Sequence, residues 1–196
     1  MAAPGAGRKA AVRPAGGRQA ALLRGVNVGP AKRVAMADLR ELVESLGFAE
    51  VRTLLNSGNV VYSAAGVAPV EAAARIEAAL PERLGVSARV VALAAAELAA
   101  AVAQNPLAGV AENPSRLLLA VPAEPGGIGL LAPLAERRWG DEALVVGPRV
   151  AYLWCPAGVI ASALAAAVER ALGGAVTSRN WTTMVKLADL AAESRG

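Results

Sequence analysis

Histidine is absent from the 196-residue chain, and cysteine occurs once, at Cys155. Without histidine the chain cannot form a serine or cysteine triad with an imidazole base, or a histidine-containing zinc site. A single cysteine excludes an intramolecular disulfide and a cluster of thiolate metal ligands. We therefore predict no catalytic residues of these classes, no metal and no cofactor, and we expect a cytoplasmic location.

Aromatic residues make up only 3% of a chain that is 55% hydrophobic, so small and branched aliphatic side chains must form the core. Residues 150–168 carry no charge and are long enough, on length alone, to cross a bilayer. Pro156 and Gly158 interrupt this segment, and its first part alternates like a strand. It predicts a strand followed by a helix, and we expect no membrane partner.

Acidic residues are missing from residues 1–18, which contain four of the 20 basic residues of the chain. The remainder then holds 16 basic and 16 acidic residues, so the formal charge of +4 comes from this segment. Its Ala, Gly and Pro content predicts a disordered basic tail. We expect nucleic acid to bind, if at all, weakly and through this tail.

Hydrophobic periodicity predicts strands at 19–24, 51–55, 60–63 and 88–93, and helices at 36–46, 70–84 and 95–103. The second half repeats the order, with strands at 116–121, 143–146, 149–154 and 175–178. A weak helix is predicted at 130–138. A strong helix at 159–172 has Val159 and Ile160 on its apolar side, and a closing helix covers 181–191.

The fold class predicted is α+β, with two consecutive ferredoxin-like units of βαββαβ order, antiparallel sheets and an extra C-terminal helix. We expect the basic tail at 1–18, a first subdomain at 19–104, a linker at 105–114 and a second subdomain at 115–196. In such a unit the first two strands run the same way. The loop after residue 24 and the hairpin at 56–59 are therefore expected to be neighbours.

Three polar clusters interrupt the aliphatic sequence: Arg24-Gly25-Val26-Asn27-Val28-Gly29, Asn56-Ser57-Gly58-Asn59 and Thr177-Ser178-Arg179-Asn180-Trp181. Their arginine and amide side chains bind anions and amides. The alternative is structural: Asn27 closes a turn while Arg24 pairs with a carboxylate, residues 56–59 form a hairpin turn, and Asn180 caps the last helix. Arg179 stands before a helix N-terminus, which predicts an anion or an acidic side chain beside it.

The motifs LLRGVNVG at 22–29, VRTLLNSGNVVY at 51–62 and TSRNWTTMVKLADL at 177–190 resemble the family catalogued as domain of unknown function 1697 (DUF1697). The resemblance implies an α+β protein, cytosolic and bacterial, without an assigned biochemical activity. Asn56 stands where the family usually has Gln. Ala161 and Ala163 replace a basic pair that often flanks the serine at position 162.

We predict binding of a small anionic or amide-bearing ligand rather than catalysis. The candidate ligand-binding residues are Arg24, Asn27, Lys32, Asn56, Ser57, Asn59, Arg179 and Asn180. Two alternatives remain open at this point: nucleic-acid binding on a sheet face, and an enzyme that uses Arg, Lys and backbone donors to stabilise charge. The sequence leaves the oligomeric state open.

Overall fold

The structure, a computed structural model, describes residues 17–28 and 33–193. Residues 1–16 of the disordered tail predicted at 1–18 lie outside the described residues, as does Lys32. The prediction is wrong at Arg18, which belongs to the first strand. The first half contains β1 (Arg18–Leu23), α1 (Met36–Ser45), β2 (Ala49–Leu54), β3 (Asn59–Ser63), α2 (Pro69–Leu84), β4 (Val90–Ala94) and α3 (Ala95–Ala103).

The second half contains β5 (Leu117–Pro122), a 3₁₀ helix (Pro125–Leu131), α4 (Ala132–Ala135), β6 (Ala143–Val146), β7 (Ala151–Trp154), a second 3₁₀ helix (Val159–Ala161), α5 (Ala163–Ala171), β8 (Val176–Asn180) and α6 (Trp181–Ala192). The expected weak helix at 130–138 is therefore shorter, one α-helical turn at Ala132–Ala135 that follows a 3₁₀ helix beginning at Pro125. Pro125 and three glycines within seven residues disfavour a regular α-helix there.

Each half forms one four-stranded antiparallel sheet, with strand orders β2-β3-β1-β4 and β6-β7-β5-β8. β3 lies between β1 and β2 and is antiparallel to both, so β1 and β2 run in the same direction. β4 pairs with the other side of β1. The α+β class with two antiparallel sheets is thus confirmed, and the carboxyl ends of β1 and β2 lie at one end of their sheet.

Local sequence explains where the helices of the first half begin and end. Pro69 occupies the first turn of α2, where its missing N–H costs no hydrogen bond. Gly85 ends that helix in the left-handed conformation at φ +64°, and Gly47 follows α1 at φ +84°. Leu39 and Leu42 of α1 and Ile76 and Leu80 of α2 are buried against the first sheet, whereas Val70, which the spacing places on the same face of α2, is 37% exposed.

A single hydrophobic core is shared by both halves and lies between the two sheets. We call it the inner core: β1, β3 and β4 supply Ala20, Leu22, Val61, Val91 and Leu93, β5 supplies Leu117, Leu119 and Val121, and α3 and α6 supply Leu98, Ala101, Met184, Leu187 and Leu190. The outer face of the first sheet packs on α1 and α2, and that of the second packs on α5. Each half therefore has a core of its own beneath its helices, and both halves share the inner core.

Polar contacts join the halves as well. The Tyr152 hydroxyl donates to the carbonyl of Ala101 in α3 at 2.8 Å. The buried guanidinium of Arg149 reaches the carbonyls of Pro122 and Ala92, at 2.9 and 3.4 Å, and lies 3.4 Å from the Glu97 carboxylate. Burial lowers the pKa of Arg149, an effect that Glu97 opposes.

The prediction of a helix at 159–172 is wrong for the first turn of that helix. Ser162 adopts an extended conformation, and its hydroxyl accepts the Ala165 N–H, so that α5 begins at Ala163. Gly158, at φ +98°, redirects the chain before this point. Val159 and Ile160 are consequently 51% and 101% exposed instead of buried.

Within residues 17–28 and 33–193, no helix combines the length and the apolar character that a bilayer crossing requires.

Candidate functional site

The loop after β1 and the turn after β2 touch, as the expected direction of the strands requires. Asn27 donates from Nδ2 to the backbone carbonyl of Asn56 at 3.0 Å and to that of Val34 at 2.9 Å. Its Oδ1 accepts the Val34 N–H at 2.8 Å. Asn27 adopts a left-handed φ of +57°, which asparagine tolerates better than most residues. The predicted proximity of the first two polar clusters is confirmed.

Gly58 makes this close approach possible. It has a φ of +69°, and a Cβ placed on it would lie 2.5 Å from Val26 Cγ2 and 2.7 Å from Leu23 Cβ. The Leu23 N–H donates to the Gly58 carbonyl at 2.8 Å, so the turn packs directly on the end of β1. Only glycine satisfies both the backbone conformation and the spacing.

Arg179, in β8, brings the third cluster to the same place. Its Nε donates to Asn59 Oδ1 at 2.7 Å, and Nη2 donates to the carbonyls of Leu23 and Ser57 at 2.7 and 3.1 Å. Nη1 donates to Thr177 Oγ1 and to the Ser178 carbonyl, both at 2.9 Å. All five guanidinium donors therefore have protein acceptors.

These five acceptors are uncharged oxygen atoms. The sequence had predicted an anion or an acidic side chain beside Arg179 instead. Burial lowers the pKa of Arg179 to about 10, and the side chain stays charged at neutral pH. Two main-chain carbonyls of the first half point their negative ends at the guanidinium, which partly replaces its lost hydration. The arginine thus joins β8 to the ends of β1 and β3.

Neighbouring candidates also use their polar atoms internally. Asn59 is fully buried and donates from Nδ2 to the Leu54 carbonyl at 3.1 Å and to Ser57 Oγ at 2.9 Å. Asn180 caps α6, because its Oδ1 accepts the Thr183 N–H at 2.9 Å. The side chain of Asn56 is exposed, and its Oδ1 accepts from Asn27 at 3.2 Å.

Arg24 crosses from the first half to the second. Its guanidinium donates to the carboxylate of Glu169 in α5 and to the carbonyl of Gly174. About a third of the side chain remains exposed, as does about half of that of Glu169. Arg24 and Glu169 therefore form a surface ion pair, and water and solutes can reach both residues.

A cleft of about 580 Å³ opens beside Arg24 and is also lined by Glu77, Ser87 and Arg89. The Arg24 N–H donates to the Arg89 carbonyl at 2.8 Å, so the two arginines leave adjacent strands at neighbouring positions. Arg89 lies 3.3 Å from Glu77, whose other carboxylate oxygen accepts the Val90 N–H at 2.8 Å. We call this space the arginine cleft.

A second cleft, of about 220 Å³, lies on the other side of Arg24 and Gly25. Six of its twelve lining residues are aliphatic and come from β5, β7, β8, α5 and the second 3₁₀ helix, and its other polar members are Glu169, Thr177, Ser178 and Arg179. Arg24 and Gly25 line both spaces. We call the second space the aliphatic cleft.

No sequence pattern identified Arg89, Glu77 or Glu169 as site residues. The first could have been found, because β4 pairs antiparallel with β1 and its start, at Val90, faces Leu23. The residue before β4 must then lie beside the residue after β1. Glu77 and Glu169 are helical carboxylates without a distinguishing pattern, and only the packing of α2 and α5 gives them their positions.

Other chemistry is limited in the described part of the chain. No group of three His, Cys, Asp or Glu residues suited to a metal ion occurs there. Cys155 is buried, its burial raises the pKa of its thiol, and its Sγ lies 3.3 Å from Ser162 Oγ. A thiol held in its protonated form is a weak nucleophile. The geometry therefore directs attention to the two clefts beside Arg24.

The fold defines an α+β protein with two antiparallel sheets, and a solved structure shares it. The conserved bacterial protein SP0830 from Streptococcus pneumoniae superposes with a TM-score of 0.72 at 21% identity, over 90% of this chain and 99% of that one. The family model for the protein of unknown function DUF1697 matches residues 17–152, and the chain belongs to this family. Among curated proteins, none matches the sequence.

Proposed function

We propose that this protein binds a small anionic ligand in the arginine cleft, with Arg24 and Arg89 as its principal contacts. The observation that carries the proposal is the convergence of two partly exposed guanidiniums on one open cleft. Arginine presents a planar fork of donors that matches carboxylate and phosphate oxygens. The proposal assigns no reaction to the site.

The ion pairs in the cleft are compatible with an entering anion. Arg24 and Arg89 each contact one carboxylate, and each keeps a third or more of its side chain exposed. Exposed ion pairs of this kind contribute little to stability. A ligand that offers two or three oxygens to both arginines can therefore displace or share these contacts at small cost.

The remaining candidates that lie within the described residues have structural partners, and we assign them to the support of the cleft. Asn27, Ser57, Asn59 and Arg179 hold the loop after β1 against the turn after β2. This arrangement fixes the backbone from which Arg24 projects. Asn56 borders this assembly, and Asn180 ends β8 and begins α6.

Nucleic-acid binding on a sheet face receives less support. Recognition of that kind needs exposed aromatic rings on the strands. Tyr62 and Tyr152 are buried, and Tyr62 stacks on Phe48 with ring centroids 4.9 Å apart. Helices or the opposing half cover both faces of each sheet in the described chain. We therefore favour a small ligand, in a cytoplasmic protein.

We also propose the ferredoxin-like assignment for each half. The strand order β2-β3-β1-β4, read from the other edge, is 4-1-3-2, with antiparallel neighbours and helices after the first and third strands. The second half has the same order but replaces its first helix by a 3₁₀ helix and one short α-helical turn.

The test is a titration with inorganic phosphate at constant ionic strength, in which NMR chemical shifts report binding. We expect saturable shifts around the arginine cleft, and at least tenfold weaker binding for Arg24→Ala and for Arg89→Ala, because each removes a charge-assisted hydrogen bond. Arg40→Ala is the matched control, since Arg40 forms an exposed ion pair with Glu44 on α1.

Equal phosphate affinity in wild type, Arg24→Ala and Arg89→Ala would contradict the proposal. A thermal-shift panel of nucleotides, sugar phosphates and organic acids then extends the test to larger anions. Only hits that lose their shift on Arg24→Ala count toward this site.

A further inference from the structure

The aliphatic cleft shows which kind of anion the protein selects. Its floor is formed by four side chains that belong to the core beneath α5, namely Leu118, Leu153, Val168 and Val176. Each is less than 10% exposed. The cleft is therefore a concave space with one apolar and one polar part, and an apolar part of this kind binds apolar groups.

Val159 lines this cleft and is 51% exposed, next to Ile160, which is fully exposed. The structure holds the two residues out of the core, because Gly158 turns the chain at φ +98° and Ser162 starts the next helix. The positive φ at position 158 favours glycine over residues with a side chain. An aliphatic side chain is thus fixed at the edge of an aliphatic cleft.

Arg24 connects this surface to the proposed anion site, because it lines both clefts. An anion bound to its guanidinium therefore lies next to both clefts. The substituent of that anion can then reach Val159 and the apolar floor without losing the contact between its oxygens and the guanidinium.

The volume limits the substituent. About 220 Å³ lies below the range of drug-sized pockets. A phenyl ring or a short branched alkyl group has a suitable size. Transfer of apolar surface from water favours such a group by about fourfold in affinity for each methylene that becomes buried.

We infer that the ligand is a small amphiphilic anion, in which one carboxylate or phosphate group carries a compact aliphatic or aromatic substituent that occupies the aliphatic cleft. This inference rests on the proposed function, since it uses Arg24 as the anion contact. It also distinguishes the ligand from wholly hydrophilic anions such as sugar phosphates, which would leave the apolar floor uncovered.

The experiment compares two pairs of probes that differ in their apolar group: inorganic phosphate with phenyl phosphate, and acetate with phenylacetate. We expect each phenyl compound to bind at least tenfold more tightly than its partner. Val159→Ser should reduce this ratio about threefold or more, while the affinity for phosphate and acetate stays the same. Ile160→Ser is the matched control, because Ile160 is a neighbouring aliphatic residue outside the cleft lining.

Arg24→Ala should weaken both members of a pair by the same factor and so leave the ratio unchanged. An affinity ratio near one in the wild type would overturn the inference. So would a ratio that Val159→Ser does not lower, or that Ile160→Ser lowers as much as Val159→Ser does. If phosphate still binds in an Arg24-dependent way, the proposed function stands without it. Absence of binding by all four probes would overturn both.

Discussion

Arg179 shows how one residue organises this end of the molecule. Its guanidinium uses all five donors, and the acceptors come from the end of β1, from the turn before β3, from Asn59 and from its own strand. A lysine at this position would have one nitrogen in place of the planar guanidinium. It could not reach the acceptors that now lie on different sides of the Arg179 guanidinium.

We predict that Arg179→Lys lowers the free energy of unfolding by about 2–4 kcal/mol, because several buried acceptors lose their only charged donor. Urea denaturation followed by circular dichroism measures the effect. Arg75→Lys is the control, since Arg75 forms an exposed ion pair with Glu71 on α2 and should change stability by less than about 0.5 kcal/mol. Similar stability of both variants would contradict the role assigned to Arg179.

The polar residues could be found from sequence, but their partners could not. Arg24, Asn27, Asn59 and Arg179 stand out because they interrupt an aliphatic chain, and their proximity follows from the strand directions. Whether such a side chain binds a ligand or a main-chain carbonyl depends on atoms of distant segments. For Arg179 these are the carbonyls of Leu23 and Ser57, which carry no side-chain pattern at all.

At the scale of elements, the turn between β2 and β3 depends on one glycine. Leu55 and Gly58 both have positive φ in this turn, and Gly58 also lies against the end of β1. The sequence Asn-Ser-Gly-Asn predicted a turn here, and the structure confirms it. The close packing of the turn on β1 also requires glycine at position 58, and turn propensity does not predict this requirement.

We predict that Gly58→Ala lowers the free energy of unfolding by about 3 kcal/mol, from the left-handed backbone and from the overlap with Val26 and Leu23. Gly66→Ala is the matched control, because Gly66 has a φ of +72° and open space around its Cα. It should lose only about 1–2 kcal/mol. Equal losses, measured by urea denaturation, would show that backbone strain alone determines the requirement for glycine.

Element boundaries follow from sequence where one periodicity and one stop residue agree, as in α1 with Gly47 and α2 with Gly85. They fail at residues 159–162, where the apolar spacing of Val159 and Ile160 suits a helix. Ser162 competes by accepting an N–H from the following turn, and this interaction begins α5 four residues later than the spacing suggests.

At the scale of the whole molecule, the inner core makes the two halves interdependent. Side chains from β1, β3 and β4 pack with those from β5 and α6, and Arg149 and Tyr152 add hydrogen bonds across the same boundary. The repeated strand and helix order was visible in the sequence. The sequence did not reveal which face of each sheet would be shared, because both faces of the strands are aliphatic.

We predict a single cooperative unfolding transition instead of one for each half. All three tryptophans, Trp139, Trp154 and Trp181, lie in the second half, so their fluorescence reports on that half, whereas far-ultraviolet circular dichroism reports on both. The two urea curves should coincide, because neither half can bury its inner face alone. Separated midpoints would show that the halves unfold independently.

The position of α6 in the inner core affects synthesis. This helix contacts β1 and β3, yet about 100 residues separate its last residue from the end of β4. At roughly 5–20 residues per second, the ribosome needs roughly 5–20 s to make that stretch. During this interval the aliphatic face of the first sheet has no cover from α6, which is the time at which a nascent chain most needs a chaperone.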